Sequence, residues 1–462
     1  MSFSLRAAAA VAVLSTAAVP LAAQTGLTIY NDGRVLLRRT LPIALPKGVS
    51  EQRIALGPVE PGSIVALDEG VSIVRSTYDA GFDEESVLRR LVGRQVTVER
   101  PRPNAAPELV QVTVLGVDPL RFKFPDGTVT FGSPGGLIRY PADAVPADAS
   151  LSATIQSANA RNDLKLGWFT DGAAWHASYQ ILLGKSDARV TGSAVINAGT
   201  LDVKDADVQL LAGSVNRAAP PPAPRRLMER AKVEMTASAD AGYASEQRAG
   251  EFHLYTLPGK TTLRPGTTST IALFEPVTAA YEKRLTVRGA LPWIGYIPQI
   301  PDEEQLPVQV TYTLKRAQRT AFGDLPLPGG TARIYEQDAQ GRLQLVGEAG
   351  TNHTPAGKDL ELDAGVAFDF TAKRVQTNYT TRRDSVAGRG IRTVATIDYA
   401  VTITNATNAA QTVDVLEERS GEWSVVSSSA PAEKLSSTRT RFKVTAPAGG
   451  EARLTYRIRA VW

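Results

Sequence analysis

The chain has 462 residues, 43% of them hydrophobic and 21% charged, the balance of a soluble globular protein with room for two to four domains. Its formal charge of +4 arises from 51 basic and 47 acidic residues. They are scattered, without the like-charge block that marks a nucleic-acid or membrane-binding arm, so no nucleic-acid partner is expected. Cysteine is absent, which excludes disulfides, thiolate catalysis, Cys-ligated zinc and iron–sulfur chemistry, and leaves no lipobox for a lipid-anchored lipoprotein.

At the N-terminus, Arg6 precedes an apolar run from Ala7 to Ala18. Small residues Ala22 and Ala23 follow, then polar Gln24 and Thr25. This is the n-, h- and c-region order of a cleavable secretory signal peptide, expected over residues 1–23. The run is too short for a spanning helix, and no later apolar stretch approaches that length. The expected location is the periplasm or the extracellular space, with nothing spanning the membrane after signal removal.

The rest reads as mainly β. "LTIYNDGRVLLRRTLPIAL" places a turn at Asn31-Asp32-Gly33 between two β-rich runs, a hairpin signal. One helix is expected over residues 84–92 of an N-terminal β region, 24–92. Asp83 caps it, Glu84 and Glu85 suit its positive end, Val87, Leu88 and Leu91 form one face, and Gly93 suits the position after the cap. Four short runs follow, "RQVTVER", "LVQVTVLGV", "LRFKFPD" and "TVTFGS", with turns at Asp118-Pro119 and Asp126-Gly127 between them. Their spacing predicts a small SH3-like barrel inserted at 93–144.

A central β-sandwich is expected over 145–290. Within it, 216–251 is rich in Ala, Pro and charge and reads as a mobile loop with a short helix at most. A C-terminal immunoglobulin-like sandwich over 291–462 is expected from strand-length runs and turns such as Ala339-Gln340-Gly341. The closing "LTYRIRAVW" alternates and ends on an aromatic residue, which also suits an outer-membrane barrel. Sparse aromatics (6%) and charged strands favour the sandwich.

Chemistry is harder to find. The three histidines, His176, His253 and His353, lie far apart in sequence, and no HExxH, GxSxG, Rossmann or phosphate-loop pattern occurs. No catalytic residue, metal or cofactor is assigned. Asp163, Asp171, Asp369, Glu417, Glu418 and Glu422 are available carboxylates, and a glycosidase needs only two at the right separation. "LGWFTDGAAWHASYQILL" gathers Trp168, Asp171, Trp175 and His176. With a hairpin turn at Asp171-Gly172, Trp168 and Trp175 face one another as a packed pair or a sugar platform, and His176 lies on the wetter face. "PWIGYIPQIPDEEQLPV" sets Trp293 and Tyr296 in a proline-rich loop suited to partner contact.

Three stretches, "WFTDGAAWHASYQILL", "NAGTLDVKDADVQLLAGSVNR" and "FHLYTLPGKTTLRPGTTSTIALF", together with the close "GGEARLTYRIRAVW", resemble a bacterial exported family of unknown function that includes mucoidy-inhibitor-like proteins. The resemblance runs from about Leu27 to the end. Longer members carry a coiled-coil insertion where this chain has the small-barrel segment. The resemblance implies an exported β-sandwich protein and no established reaction. The expected function is a non-enzymatic cell-envelope protein that binds an envelope partner or glycan, or supports envelope structure. A carbohydrate-active or carbohydrate-binding protein and an outer-membrane barrel are the alternatives.

Overall fold

A computed structural model describes residues 24–80, 83–145, 148–213, 215, 243–290, 303–386 and 390–462. The signal-peptide segment, most of the expected mobile loop, Trp293 and Tyr296 lie outside the described residues. The protein is mainly β, arranged as several open sheets.

Two large sheets face each other across the first core. One runs in the order Ser245–Ala249, Phe252–Thr256, Val203–Ala212, Thr25–Tyr30, Arg34–Leu41, Leu164–Asp171 and Val65–Ala66, with Thr261–Leu263 paired to the side. The expected hairpin at Asn31-Asp32-Gly33 joins its fourth and fifth strands. The other sheet begins with Leu343–Thr351, Gly330–Gln337, Ala174–Leu183 and Asp187–Asn197 and continues into the long strand Thr268–Ala290. Alternating apolar residues of both sheets, among them Ile29, Leu37, Tyr179, Ile181, Val190 and Leu210, bury their side chains between them.

The strand Thr268–Ala290 joins this core to a second one. Its first half pairs with Asp187–Asn197, and its second half pairs with Val308–Leu314 and, in parallel, with Gln411–Glu418. Opposite lies a five-stranded sheet of Glu304–Leu306, Phe370–Val386, Gly390–Asn405, Gly450–Val461 and Glu422–Ser428. Phe442, Tyr456, Ile397 and Val415 fill the space between. Linear order and spatial order therefore differ. Gly330–Gln337 belongs to the first core although it follows residue 291, and the strands Thr25–Tyr30 and Arg34–Leu41 belong there too instead of forming a region of their own. Inside the expected loop 216–251, Ser245–Ala249 is a strand paired with Phe252–Thr256.

The final strand settles the barrel alternative. Gly450–Val461 lies inside its sheet, paired on one side with Gly390–Asn405 and on the other with Glu422–Ser428. Leu454, Tyr456, Ile458 and Ala460 are buried and face the second core. No sheet closes on itself among the described residues, so the alternation at the C-terminus is that of a sandwich strand.

The inserted segment forms a separate unit. Its sheet runs Leu137–Arg139, Gln95–Arg102, Ala105–Val117, Leu120–Lys123 and Val129–Phe131, and among the described residues the two edge strands do not pair, so it is an open sheet and not a closed barrel. The expected helix spans Glu84–Arg90. Asp83 accepts the Ser86 amide at 2.8 Å, and Val87, Leu88 and Leu91 are buried against Val96, Val98, Val112, Val114 and Phe122. This core is separate from the other two. The segment leaves the body at Asp79 and returns at Ser150, which are register partners in the three-stranded sheet Gly48–Ala55, Ser150–Ser157 and Val71–Asp79.

Candidate functional site

The Trp168–His176 stretch is not a hairpin. Leu164–Asp171 lies in one large sheet, paired with Arg34–Leu41, while Ala174–Leu183 lies in the sheet opposite, paired with Asp187–Asn197 and Gly330–Gln337. Gly172, at φ +120°, carries the chain across the sandwich. An Asp-Gly pair reports a sharp turn with positive φ; it does not specify whether the next strand stays in the same sheet.

Both indoles belong to the core. Trp168 and Trp175 are 1% and 3% exposed. The Trp175 Nε1–H donates to the Leu211 carbonyl at 3.2 Å, and its ring lies 6.2 Å from that of Tyr255. A sugar platform needs an open aromatic face, and neither ring offers one. The alternation along the second strand matches expectation: Trp175, Ala177, Tyr179 and Ile181 are buried and His176 is exposed. Asp171 is exposed as well, and neither its carboxylate nor the His176 ring has a hydrogen bond or ion pair among the described residues.

His253 meets Glu246 at 2.7 Å across the strand pair Ser245–Ala249 and Phe252–Thr256. His353 accepts the Gly329 amide at 3.0 Å, and burial, with His253 nearby, pulls its imidazole below the ordinary range. These contacts account for one ring nitrogen of each, and no cluster of three metal-ligating side chains occurs among the described residues.

Of the candidate carboxylates, Glu417 has the most altered surroundings. It is wholly buried and accepts hydrogen bonds from Arg374 Nη1 at 2.8 Å and the Tyr456 hydroxyl at 2.5 Å. Arg374 also reaches Glu304 at 2.7 Å and lies over the Tyr399 ring. Space for this arrangement comes from Gly289, the parallel register partner of Glu417. A Cβ there would stand 2.3 Å from Arg374 Nη1 and 2.7 Å from Glu417 Oε2. The sequence shows Glu417 only as one acid among many, because its partners come from three distant strands. With both oxygens engaged inside the core, Glu417 is out of reach of a glycoside.

Burial pushes the Glu417 carboxyl up from 4.5 to about 7, against the pull of Arg374 and the Tyr456 hydrogen bond. The folded state then holds a proton that the unfolded chain has released. Stability from this group is complete below about pH 4.5 and is lost as pH rises through about 7. The change is about 3 kcal/mol across the window. His353 acts in the opposite sense, since its depressed value adds stability as pH rises. Melts of wild type and Glu417→Gln at pH 5 and 7.5 isolate the carboxyl. The wild-type advantage should be larger at pH 5, and an equal difference at both pH values would disprove the assignment.

The open surface of chemical interest is on the inserted unit. Leu137, Phe131 and Leu109 are 74%, 70% and 58% exposed there. Two grooves of about 500 and 330 Å³ meet at Gly136 and Leu137. The first lies between the start of the helix and the edge strand Leu137–Arg139; the second runs beside Pro101 and Pro107. The Tyr140 hydroxyl donates to Glu84 at 2.5 Å and ties the end of that strand to the helix. The wall of the larger groove is thereby held by the fold itself. The first four strands of this unit follow from the sequence; the fifth, three residues long after a Gly-rich stretch, shows no local signal.

The chain matches no protein-family model and no curated protein.

Proposed function

We propose that the protein is an exported, non-enzymatic component of the cell envelope that binds a partner, with the inserted five-stranded unit as its docking element. The observation that carries this reading is the exposure of Leu137 where two grooves meet, with Phe131 exposed on the same five-stranded sheet, while Trp168, Trp175 and Trp423 are buried in the two sandwiches. Large apolar side chains beside a groove favour association with a partner. The leader-like N-terminus and the likeness to the exported mucoidy-inhibitor-like family support the envelope assignment. The carbohydrate reading loses its tryptophan platform, because both indoles are covered.

Asp79 and Ser150 are register partners, so the unit can be replaced by a two-residue turn that closes the same strand pair. We expect the full chain to fractionate with the periplasm in leader-cleaved form and to form a discrete crosslinked adduct there. The turn-closed variant should export and fold but give no adduct. Cytoplasmic retention of the full chain, or the same adduct without the unit, would refute the reading.

A further inference from the structure

We infer that the grooves of the inserted unit receive an extended peptide segment of a partner protein that carries apolar residues and at least one arginine or lysine. This rests on the docking role proposed above and specifies the chemistry of the partner.

Charge is the first argument. The charged side chains lining the two grooves are all carboxylates: Glu84 and Glu85 in the larger, Glu99 in the smaller. Glu85 is answered by Arg89 at 2.6 Å, and Glu99 by Arg139. Glu84 receives only the neutral Tyr140 hydroxyl and has no cationic partner among the described residues. A carboxylate fixed at the wall of an apolar groove favours a cationic side chain from the occupant and repels phosphate or an acidic peptide.

Backbone geometry is the second. Leu137–Arg139 is an edge strand that pairs, among the described residues, only with Gln95–Arg102. Its outer main-chain groups are open to an added strand, and Leu137 stands where the two grooves join. An extended chain laid along this edge places alternate side chains over Leu137 and toward Glu84. Extended peptide is favoured over a helix, which cannot continue the ladder.

The test uses the full chain and a fluorescein-labelled decapeptide in which valine alternates with arginine and threonine. A control peptide carries glutamate for arginine. Anisotropy should show the arginine peptide binding about tenfold or more tightly than the control, with an affinity that weakens as salt rises. Leu137→Asp should reduce binding about tenfold or more. Glu84→Gln should weaken it several-fold and flatten the salt dependence. Leu109→Asp, an exposed site outside the grooves, should leave binding unchanged, which separates a local effect from a general loss of the unit. Equal binding of both peptides, unchanged binding by Leu137→Asp, or equal loss in Leu109→Asp would overturn the inference. So would a concentration-dependent dimer abolished by Leu137→Asp without peptide preference, which assigns the face to a second copy. If the unit-dependent adduct forms in cells while the peptide does not bind, the peptide inference fails and the docking role stands.

Discussion

Replacing Arg316 with methionine is expected to destabilise the first sandwich by about 3–5 kcal/mol, the range for removing a buried charged group from its hydrogen-bond partners. Arg316 is 3% exposed. Its guanidinium donates to the carbonyls of Phe322 at 2.9 Å, Pro355 at 2.9 Å and Lys358 at 3.0 Å, and also to Leu325. No carboxylate touches it among the described residues; Asp359 accepts the Arg316 backbone amide instead. One planar side chain thus satisfies carbonyls from two separate loops, and methionine would leave them buried without donors. The same loop is held from both sheets, since the Tyr179 and Tyr255 hydroxyls donate to the Pro328 and Pro326 carbonyls at 2.7 and 2.8 Å. Arg316→Lys should recover only part of the loss, because an ammonium cannot span carbonyls placed around a fork. Calorimetry or denaturant midpoints would measure the effect. A change below about 1 kcal/mol would show that the carbonyls find water or other donors.

The second large effect is expected in the other core. Arg374→Met should cost about 3–5 kcal/mol by leaving Glu417 buried without its cation. Arg374 is 4% exposed and joins Glu417, inside the core, to Glu304 at the edge. Without it, the Glu417 carboxyl rises further and stays protonated through neutral pH, held by the Tyr456 hydroxyl alone. Changing both partners, Arg374→Met with Glu417→Leu, should recover much of the loss, because an apolar pair of similar volume avoids a buried carboxyl that has lost its cation and its hydrogen-bond donor. Glu304, with a side chain 36% exposed, can turn to solvent in either variant. The informative quantity is the coupling between the two sites from a double-mutant cycle. Strictly additive losses would mean that the pair is not an energetic unit.

The two substitutions act on different packed cores, although the sequence places Arg316 and Arg374 together in the expected C-terminal sandwich, 291–462. Strand-forming runs, the Asn31-Asp32-Gly33 turn, the helix capped by Asp83 and the buried alternation from Trp175 to Ile181 were all legible in the chain. Each is a property of residues within a few positions of one another, set by φ/ψ preference, side-chain alternation or a local hydrogen bond. The same locality explains the misreading of Trp168 and Trp175. Their apolar character announces burial, but an Asp-Gly turn serves equally a hairpin and a crossing between sheets.

The candidate site was less legible still. Leu137 belongs to a strand too short to show a period, and its exposure is a property of the surface. In the sequence Glu84 suits a helix start, and its place on a groove wall depends on strands that follow it by some fifty positions.

By itself the sequence determined the β class, the capped helix, the strand-rich insertion that follows it, and the absence of cysteine chemistry; that the helix packs into the insertion, and that the insertion is an open sheet, came from the tertiary structure. Tertiary structure alone decided which strands are neighbours: Thr25–Tyr30 beside Val203–Ala212, Ala174–Leu183 beside Gly330–Gln337, and one strand shared by two cores. The physical reason is that main-chain hydrogen bonds between strands are the same for every residue type. Partner choice is therefore set by the joint burial of many side chains far apart in the chain, and so is the company that Arg316, Glu417 and Leu137 keep.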